Sequence, residues 1–591
     1  MKKKYLLEEI LSYILCFLIF FRFIFDGITY PEFNLIFTIS LFIIFFFYII
    51  LRFKEVDMTY LEFLLFLFLP FSILSFFLSE IKITGIRFNS YFAGYFCLFF
   101  LVRNIFNYEK NKEKFYLTIL IITLSITIYG IYQRLWGLEE TRKYMIENLK
   151  NIDIKKISPT FIDRIQSNRI FSTFVYPNIY AGFLISIMPF LFFFSLNKIK
   201  TLKGLFSIII FFLCFLNLIL TESMGGLLIF LFIFQIIFLQ IILSQLKFKK
   251  ILPYIIFAEI LIIFIGFQLK ILPHIHSLID RILYWKASIK IIPLNPFLGI
   301  GPGNFEYYFL KFKLPETLEA KHAHNLFIEI FVENGFFGFL LFFSFLISII
   351  KNCLEKTKNK YLSSGIFYLL ISFLLHNLID FDFYDPSVAI LFFIFGGLVR
   401  EKKITSRKLT KTLICLIIII NLSLGIKLVK FENSERYRKY AEKVIDINLK
   451  LFFLKNGENW EKDNFKVYAD KGDLFLTMWH YTEDSKFLNE AIFNYNRAVY
   501  LNPYLTKAYR KLAYIYEITK NYEIAEKMYL KLLEIYPNKK LYNLEIARFY
   551  LKKGEKEKFK YYYEKSKKLK EVTTEEAILT NQIEKWIELQ K

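Results

Sequence analysis

Imidazole and amide side chains are concentrated in one short stretch, KHAHN at 321–325, which is followed by ENGFFG at 333–338. A neutral imidazole can take a proton from a hydroxyl near neutral pH, and it can also bind a metal ion. Two His residues separated by a single residue share a metal only on extended backbone, and no third ligand is evident. A lone His in a loop is usually solvated, but His324 lies between a long polar loop and a long apolar run, which favours a functional role.

The same long loop, 273–326, carries a second polar group upstream of these histidines. Residues 280–288, DRILYWKAS, have the spacing of a short amphipathic helix with Arg281, Trp285 and Ser288 on one face. A Trp at a membrane interface is often only an anchor. The glycines in PFLGIGPGN at 296–304 could form a nest of backbone N–H groups for an anion, although a flexible turn is the simpler interpretation. They do not follow a strand, which argues against a dinucleotide-binding fingerprint.

The elements that must position these residues are membrane-spanning helices. The 591-residue chain is 55% hydrophobic and contains 73 Phe. Its apolar residues form blocks of roughly 18 to 25, long enough to cross a hydrocarbon core of about 30 Å. The formal net charge of +23 would suggest nucleic acid for a soluble protein. On a membrane protein, basic cytoplasmic loops and anionic lipid explain it, so we expect a bilayer partner and no nucleic acid.

The loops between the apolar runs predict the topology. About thirteen spans are expected, near 10–25, 34–51, 60–79, 88–106, 115–136, 174–195, 204–221, 225–245, 251–272, 327–350, 361–379, 387–400 and 409–429. Every second short loop is rich in Lys and Arg, whereas 26–33, 222–224 and 380–386 are poor in both. The positive-inside rule then places the N-terminus in the cytoplasm. An odd number of spans places the C-terminal region outside, on the side of the large loop 273–326.

Beyond about residue 430 the sequence becomes charged and repeats with a period of 34. The recurring positions are Ala491, Ala525 and Phe559; Ala513 and Ala547; Tyr516 and Tyr550; Pro503 and Pro537. This period, with small residues where helices cross, resembles the tetratricopeptide repeat. We expect a connecting helical region at 430–488, two to three repeats at 489–568 and a C-terminal helix at 569–591. Such a domain either offers a concave surface to a protein partner or caps the membrane domain.

The membrane portion, residues 1–429, resembles the O-antigen ligase family, most strongly over 165–400. That family includes O-antigen polymerases and bacterial O-linked protein oligosaccharyltransferases. The sequence carries its motif as His324-Asn325, nine residues, Gly335, two residues and Gly338.

Three further segments carry the resemblance. NRIFSTF at 168–174 with Pro177-Asn178 is similar to the family's arginine-containing segment, and 281–303 is similar to its large-loop segment. HNLIDFD at 376–382 resembles a segment of members that have tetratricopeptide repeats. The family often has Ser-Arg-Gly where this chain reads Ser223-Met224-Gly225. If that arginine binds an anion in the family, Arg169 or Arg164 must supply the cation here.

The resemblance implies an all-α enzyme of the bacterial inner membrane. It would transfer a glycan from an undecaprenyl-diphosphate carrier to an acceptor hydroxyl on the outer face. The permanent, bidentate charge of Arg169 and Arg281 suits the departing diphosphate. His324 is expected to be the general base or to orient the acceptor. Weaker candidates for donor or acceptor binding are His322, Asn325, Trp285, Asn178, Arg164, His376 and Asp380. The leaving group is already activated, so neither a metal nor another cofactor is expected.

Asp380 and Asp382 look like the metal-binding carboxylate pair of some glycosyltransferases, but the spacing is common by chance. Asp385 before Pro386 is placed to cap the next helix. We therefore favour a structural role, or one at a polar interface, for this segment.

The acceptor stays open among a growing glycan, a lipid and a protein, so ligase, polymerase and protein glycosyltransferase are not separated. Two other classes compete with the enzyme. A lipid-linked glycan transporter would need charged groups along a path through the bilayer, and the predicted spans are nearly free of charge at their centres. A non-catalytic scaffold for the repeat domain would not require Arg169, Arg281 and His324 to converge.

Overall fold

The computed structural model describes residues 2–25, 30–106, 108–149, 166–243, 275–355, 359–399, 401–570 and 573–589. The first half contains α1 (Lys2–Ile24), α2 (Pro31–Arg52), α3 (Tyr60–Leu78), α4 (Gly85–Ile105), α5 (Glu109–Tyr132), α6 (Leu138–Leu149), α7 (Pro177–Asn197), α8 (Leu202–Leu220) and α9 (Met224–Leu243). The large loop and the spans after it contain α10 (Ile275–Ile289), α11 (Phe305–Phe312), α12 (Leu326–Leu354), α13 (Lys360–His376), α14 (Pro386–Gly397) and α15 (Arg407–Lys443). The C-terminal part contains α16 (Ile447–Trp460), α17 (Phe465–Thr482), α18 (Ser485–Leu501), α19 (Thr506–Ile518), α20 (Tyr522–Ile535), α21 (Lys540–Lys553), α22 (Lys556–Lys567) and α23 (Thr574–Leu589).

The predicted all-α polytopic bundle is confirmed. Among the described residues, nine helices are long and apolar enough to cross a membrane, and α13 and α14 are apolar but shorter. The described part of the chain contains no β-strand. The span predicted at 251–272 lies outside the described residues, and each of the other predicted spans overlaps a helix.

Helix α14 is the shortest of these elements, and protein surrounds it. Its 12 residues rise only about 18 Å, and every one of them is buried. Asp385 accepts a hydrogen bond from the Ser387 backbone N–H at 2.8 Å and so caps the helix, as its position before Pro386 predicts. The chain after α14 then reaches the start of α3, where the Leu61 N–H donates to Glu401 at 2.8 Å. Helix α14 and the residues after it therefore connect the two ends of the bundle, although the helix itself is short.

The bundle has two chemically different ends. The basic end is formed by the loops at 53–59, 198–201 and 401–406. There Arg103 pairs with Asp57 and Glu62 at 2.7 and 2.6 Å. The opposite end, called the site end below, gathers the loops at 79–84, 167–176, 221–223, 290–325 and 377–385. The side chain of Asn304, for example, donates to the Ile81 carbonyl at 3.0 Å.

Helix α15 carries the chain from the basic end to the site end and onward into the C-terminal domain. It is 37 residues long and runs without interruption across residue 430. At the site end, Arg87 donates to both carboxylate oxygens of Glu432 on α15, at 2.6 and 2.8 Å. The C-terminal domain therefore lies at the same end of the molecule as the large loop.

Packed helical hairpins make up the C-terminal domain. The pairs α17–α18, α19–α20 and α21–α22 have short connections, which makes their helices antiparallel neighbours. The small residues that recur every 34 positions are completely buried; they are Ala491, Ala513, Ala525 and Ala547. A small side chain at these positions lets neighbouring helices approach closely. The assignment of these hairpins as tetratricopeptide repeats remains a prediction.

The large loop is docked on this domain. The side chain of Asn538, between α20 and α21, donates to the Lys313 carbonyl at 2.8 Å. Glu319 accepts hydrogen bonds from the Tyr536 hydroxyl at 3.2 Å and from Lys539 at 3.1 Å. The segment between α11 and His322 is therefore held between the bundle and the helical hairpins.

Candidate active site

Asp380 is the centre of a buried polar cluster at the site end. It follows α13, and its side chain is only 2% exposed. One carboxylate oxygen lies 3.0 Å from Nη2 of Arg281, and the other lies 3.5 Å from Nδ1 of His324. Burial by itself would raise the pKa of Asp380, but His324, and then the charges of Arg281 and His376, outweigh burial and hold the pKa well below its usual range. Asp380 is therefore ionised and joins two of the three predicted catalytic residues.

Arg281 reaches this cluster from α10. Its Nε donates to the Ile379 carbonyl, so the guanidinium is fixed to the backbone as well as to Asp380. Trp285, one turn further along α10, has a buried indole N–H without a hydrogen-bond partner in the described part of the chain. A buried donor of this kind is normally satisfied.

His324 stands on strained backbone at the start of α12. Its φ of +52° lies in the left-handed region, which is uncommon for residues other than glycine. The next residue, Asn325, accepts hydrogen bonds from the backbone N–H groups of Phe327 and Ile328 at 3.0 and 3.1 Å, which makes it the N-cap of α12. Asn325 also donates to the Leu378 carbonyl at 3.0 Å. Asn325 thus holds the start of α12, next to His324, against the loop that contains Asp380.

Two aromatic rings fix the plane of the His324 imidazole. The ring of Tyr284 is stacked on it, with centroids 5.6 Å apart, and Phe381 meets it edge-on at 4.9 Å. Tyr284 comes from α10, and Phe381 directly follows Asp380. These contacts therefore restrict the tilt of the imidazole ring beside Asp380.

The glycine-rich turn at 296–304 pins the large loop to α12. Gly299, Gly301 and Gly303 all have positive φ, and the turn faces Gly335, where φ of +65° interrupts the helical geometry of α12. The Phe336 N–H donates to the Pro296 carbonyl at 2.8 Å. Gly335 lies on α12 shortly after His324-Asn325. Its contact with the turn therefore brings the loop that carries Arg281 onto the helix that begins beside His324.

This turn already holds a carboxyl group of the protein. Glu333 of α12 accepts hydrogen bonds from the Gly303 and Phe305 N–H groups at 2.9 and 3.3 Å. The Gly301 N–H donates to the Glu333 carbonyl at 3.0 Å. The amides are used within the fold, so the turn is neither an open nest for a ligand anion nor a flexible linker.

Arg169 contributes a second cation from the loop before α7. Its Nε donates to the Thr221 carbonyl at 2.8 Å, and its Nη2 donates to Asn178 at 2.7 Å. Burial lowers the pKa of Arg169; the charges of Glu222 and Asp380 oppose that shift, and the charge of Arg281 adds to it. The charges of Asp380 and Arg281 both act on Arg169, so its guanidinium belongs to the same polar region as the cluster around Asp380.

This position also bears on the departure at Ser223-Met224-Gly225. By bonding to Thr221, Arg169 places its cation beside the turn where the family often has an arginine. Asn178, predicted as a binding residue, accepts the hydrogen bond from Arg169 in the structure. Arg164, the other predicted source of a cation, lies outside the described residues.

His322 belongs to a separate carboxylate–imidazole pair. Its Nδ1 lies 2.7 Å from Glu329, whose side chain is only 1% exposed and which also accepts from the Ala323 N–H at 2.8 Å. The imidazole stacks on Phe381 at 4.9 Å, and the tilted ring of Tyr384 contacts it at 4.8 Å. Phe381 thus contacts both His322 and His324.

His376 and Asp382 form a buried pair behind the cluster. Nδ1 of His376 and Oδ2 of Asp382 are 2.6 Å apart, and both side chains are almost completely buried. Burial raises the pKa of Asp382 to about 6, although His376 opposes the rise. The pair connects the end of α13 to the turn before α14, a structural position.

The two carboxylates of Asp380-x-Asp382 consequently have different partners. Within the described ranges, no group of three His, Cys, Asp or Glu side chains is arranged to hold a metal ion.

The sequence interpretation did not single out Glu329, Glu333, Tyr284 or Phe381. The sequence does point to the two glutamates, because a carboxylate within the first turns of a predicted span is unusual in a membrane and is normally paired with another polar group. The two aromatic residues are indistinguishable in sequence from the many others of this chain.

Part of the chain is similar to a known protein family. Residues 209–343 match the family model described as O-antigen ligase. The matched segment extends from α8 through Arg281, His322 and His324 to the glycines of α12. No curated protein and no solved structure matches the chain. The family match and the apolar helices support a multi-pass membrane protein with a function of the glycan ligase or polymerase type.

Proposed function

We propose that this chain transfers or polymerises a glycan, taking it from an undecaprenyl-diphosphate-linked donor and joining it to an acceptor hydroxyl at the site end. The observation that carries the proposal is the cluster around Asp380. It brings Arg281 and His324 together from separate segments, with Arg169 near them. The family match over 209–343 supports the same reaction class.

In the proposed reaction the acceptor oxygen attacks the anomeric carbon of the donor sugar. The bond between that carbon and the diphosphate oxygen breaks, and the diphosphate leaves with the electron pair. Arg281 and Arg169 neutralise the charge that develops on it. The proton of the acceptor passes to an imidazole, for which His324 is the first candidate and His322 the second. The departing diphosphate is a good leaving group, so the step requires no metal and no nucleotide.

Asp380 has two roles in this proposal. Its carboxylate holds the Arg281 guanidinium in place at 3.0 Å. The same charge, 3.5 Å from Nδ1 of His324, stabilises a protonated imidazole if His324 takes the proton. A buried carboxylate beside a catalytic histidine serves the same purpose in many hydrolases.

The proposal includes an orientation in the inner membrane of a bacterium. The basic end faces the cytoplasm, in agreement with the positive-inside rule. The site end, the large loop and the C-terminal helical hairpins then face outward, where lipid-linked glycans are used. We further propose that the hairpins are tetratricopeptide repeats.

The proposal is tested in proteoliposomes with an undecaprenyl-diphosphate oligosaccharide and a cell-envelope extract as the source of acceptor. We expect the wild type to release undecaprenyl diphosphate in the presence of a chelator. The variants His324→Ala, Arg281→Lys and Arg169→Lys should each lose at least about ten-fold in rate. The alanine variant lacks the imidazole that accepts the proton, and in the other two lysine cannot reproduce the two-point contacts of arginine. His480→Ala and Arg497→Lys, at more exposed positions of the C-terminal domain, are the matched controls and should retain the wild-type rate.

Full activity of all three site variants would refute the site. Absence of release by the wild type, together with movement of the lipid-linked glycan across the bilayer, would refute the reaction and identify a transporter.

A further inference from the structure

A cavity of about 350 Å³ lies beside His322, between the membrane bundle and the C-terminal domain. Its walls come from α4, the large loop, the turn before α14, α15 and the first residues of α17. The volume falls within the range of roughly 300–1,000 Å³ that is typical of small-molecule sites. His322 lines this cavity, and His324 does not.

The lining combines aromatic rings with ionisable groups. The rings include Phe88, Tyr91, Tyr95, Tyr307, Tyr384 and Phe465. The charged groups include Glu306, Lys321 and Lys466. Aromatic faces pack on the C–H faces of a sugar ring, while charged and hydroxyl groups bind its hydroxyls. The described lining offers no strand edge on which an extended peptide could pair. A sugar fits these walls better than a polypeptide.

The imidazole at the wall of this cavity is held for proton transfer. Glu329, itself buried, fixes Nδ1 of His322 at 2.7 Å, and the rings of Phe381 and Tyr384 contact the imidazole. A carboxylate on one nitrogen sets the tautomer and leaves the other nitrogen for a substrate. His324 has a longer contact of 3.5 Å with Asp380, whose other oxygen is engaged by Arg281.

One aromatic ring contacts both histidines. Phe381 stacks on His322 and meets His324 edge-on, at 4.9 Å in each case. It therefore touches both the imidazole that lines the cavity and the imidazole beside Asp380. A sugar hydroxyl bound at His322 would lie one aromatic ring away from His324.

We propose that this cavity is the acceptor subsite, that it takes the terminal sugar of a glycan chain, and that His322 removes the proton of the attacking hydroxyl. The inference rests on the proposed function and selects between its two histidines. His324 then orients the reactants together with Asp380. The C-terminal domain contributes one wall through Asn464, Phe465 and Lys466, so it completes the acceptor site.

The test uses the full chain in proteoliposomes with the same lipid donor and two acceptor probes. One probe is the oligosaccharide released from that donor by mild acid, and the other is a synthetic peptide rich in Ser and Thr. Initial rates are measured against acceptor concentration, donor concentration and pH. Consumption of donor by water, without acceptor, is measured separately.

We expect the oligosaccharide to be the better acceptor. Lys466→Glu should raise its KM about five-fold, the value of one charged contact of roughly 1 kcal/mol, and should leave the KM of the donor unchanged. Lys462→Glu, which changes an exposed lysine four residues earlier in the loop before α17, is the matched control and should change neither. His322→Gln should lower kcat by roughly 100-fold or more and remove the acidic limb of the pH profile, because the general base is lost. An unchanged donor KM shows that this variant is folded.

Three results would overturn the inference while leaving the proposed function intact. They are wild-type kinetics for Lys466→Glu and His322→Gln, use of the peptide in preference to the oligosaccharide, and use of neither probe while water consumes the donor. If the wild type consumes no donor under any condition, the proposed function itself fails and the inference fails with it.

Discussion

Gly335→Ala is the substitution whose effect the structure defines most sharply. Gly335 has φ of +65°, and a Cβ there would lie 2.4 Å from the carbonyl carbon and oxygen of Phe297 and 2.5 Å from the Leu298 nitrogen. Both neighbours are backbone atoms and cannot rotate away. The methyl group would push the glycine-rich turn off α12 and break its hydrogen bonds.

A second glycine allows the two energetic costs of a Gly→Ala change, backbone strain and steric overlap, to be measured separately. Gly554 also has a positive φ, +82°, but a Cβ there meets nothing within 4 Å. Left-handed backbone costs a residue with a side chain roughly 1–2 kcal/mol, so Gly554→Ala should lose about that much. Overpacking adds roughly 1–3 kcal/mol, and it applies only at Gly335. An additional 1–3 kcal/mol raises the population of the open loop by roughly 5- to 150-fold.

Limited trypsin digestion of the folded protein in proteoliposomes measures that population, because cleavage follows local opening. Lys290, exposed at the end of α10, is the site to monitor. We expect Gly335→Ala to speed cleavage there and to reduce glycan transfer, and Gly554→Ala to change neither. Equal cleavage rates at Lys290 in both variants would show that the glycine contact does not hold the loop.

Two further predictions concern buried charges. Asp380→Asn should reduce transfer at least about ten-fold, because breaking a buried ion pair costs roughly 3–5 kcal/mol. Asp382→Asn, which changes the carboxylate beside His376, should lower the thermal midpoint and spare more of the activity. Burial lowers the pKa of Lys313 to about 8, with Glu319 opposing and Lys539 adding to the shift. Because this folded pKa lies below the ordinary value near 10.5, folding gains stability as the pH rises from about 8 towards 10.5. Lys313→Met should remove that gain, which is measured as the change in thermal midpoint between pH 7.5 and 9.5.

Some expectations followed from local sequence and held. The apolar runs predicted the spans because length and hydropathy decide membrane insertion almost independently of tertiary context. Asp385 before Pro386 predicted a helix cap, and the 34-residue spacing predicted buried alanines. The family motif predicted that a membrane span begins directly after His324-Asn325, where α12 begins.

Other features could not be read from the sequence because they depend on distant segments. The glycine-rich turn looked like a flexible turn or an anion nest, and Glu333 of another element occupies it. His322 was ranked below His324, since only the fold shows its partner Glu329 and the cavity beside it. Asp380 was a minor candidate. It became central because the side chains that reach it come from distant segments: Arg281 is 99 residues away in sequence, and His324 precedes another helix.

The sequence by itself determined that this chain is a membrane protein, which residues form its helices, and which residue types are available for chemistry. These properties depend on hydropathy, helix geometry and capping, all of which act over short distances along the chain. Only the tertiary structure decided which carboxylate joins which imidazole and where the cavity lies. Those pairings depend on packing between helices that are far apart in sequence. Each contact is strong because burial removes water from it.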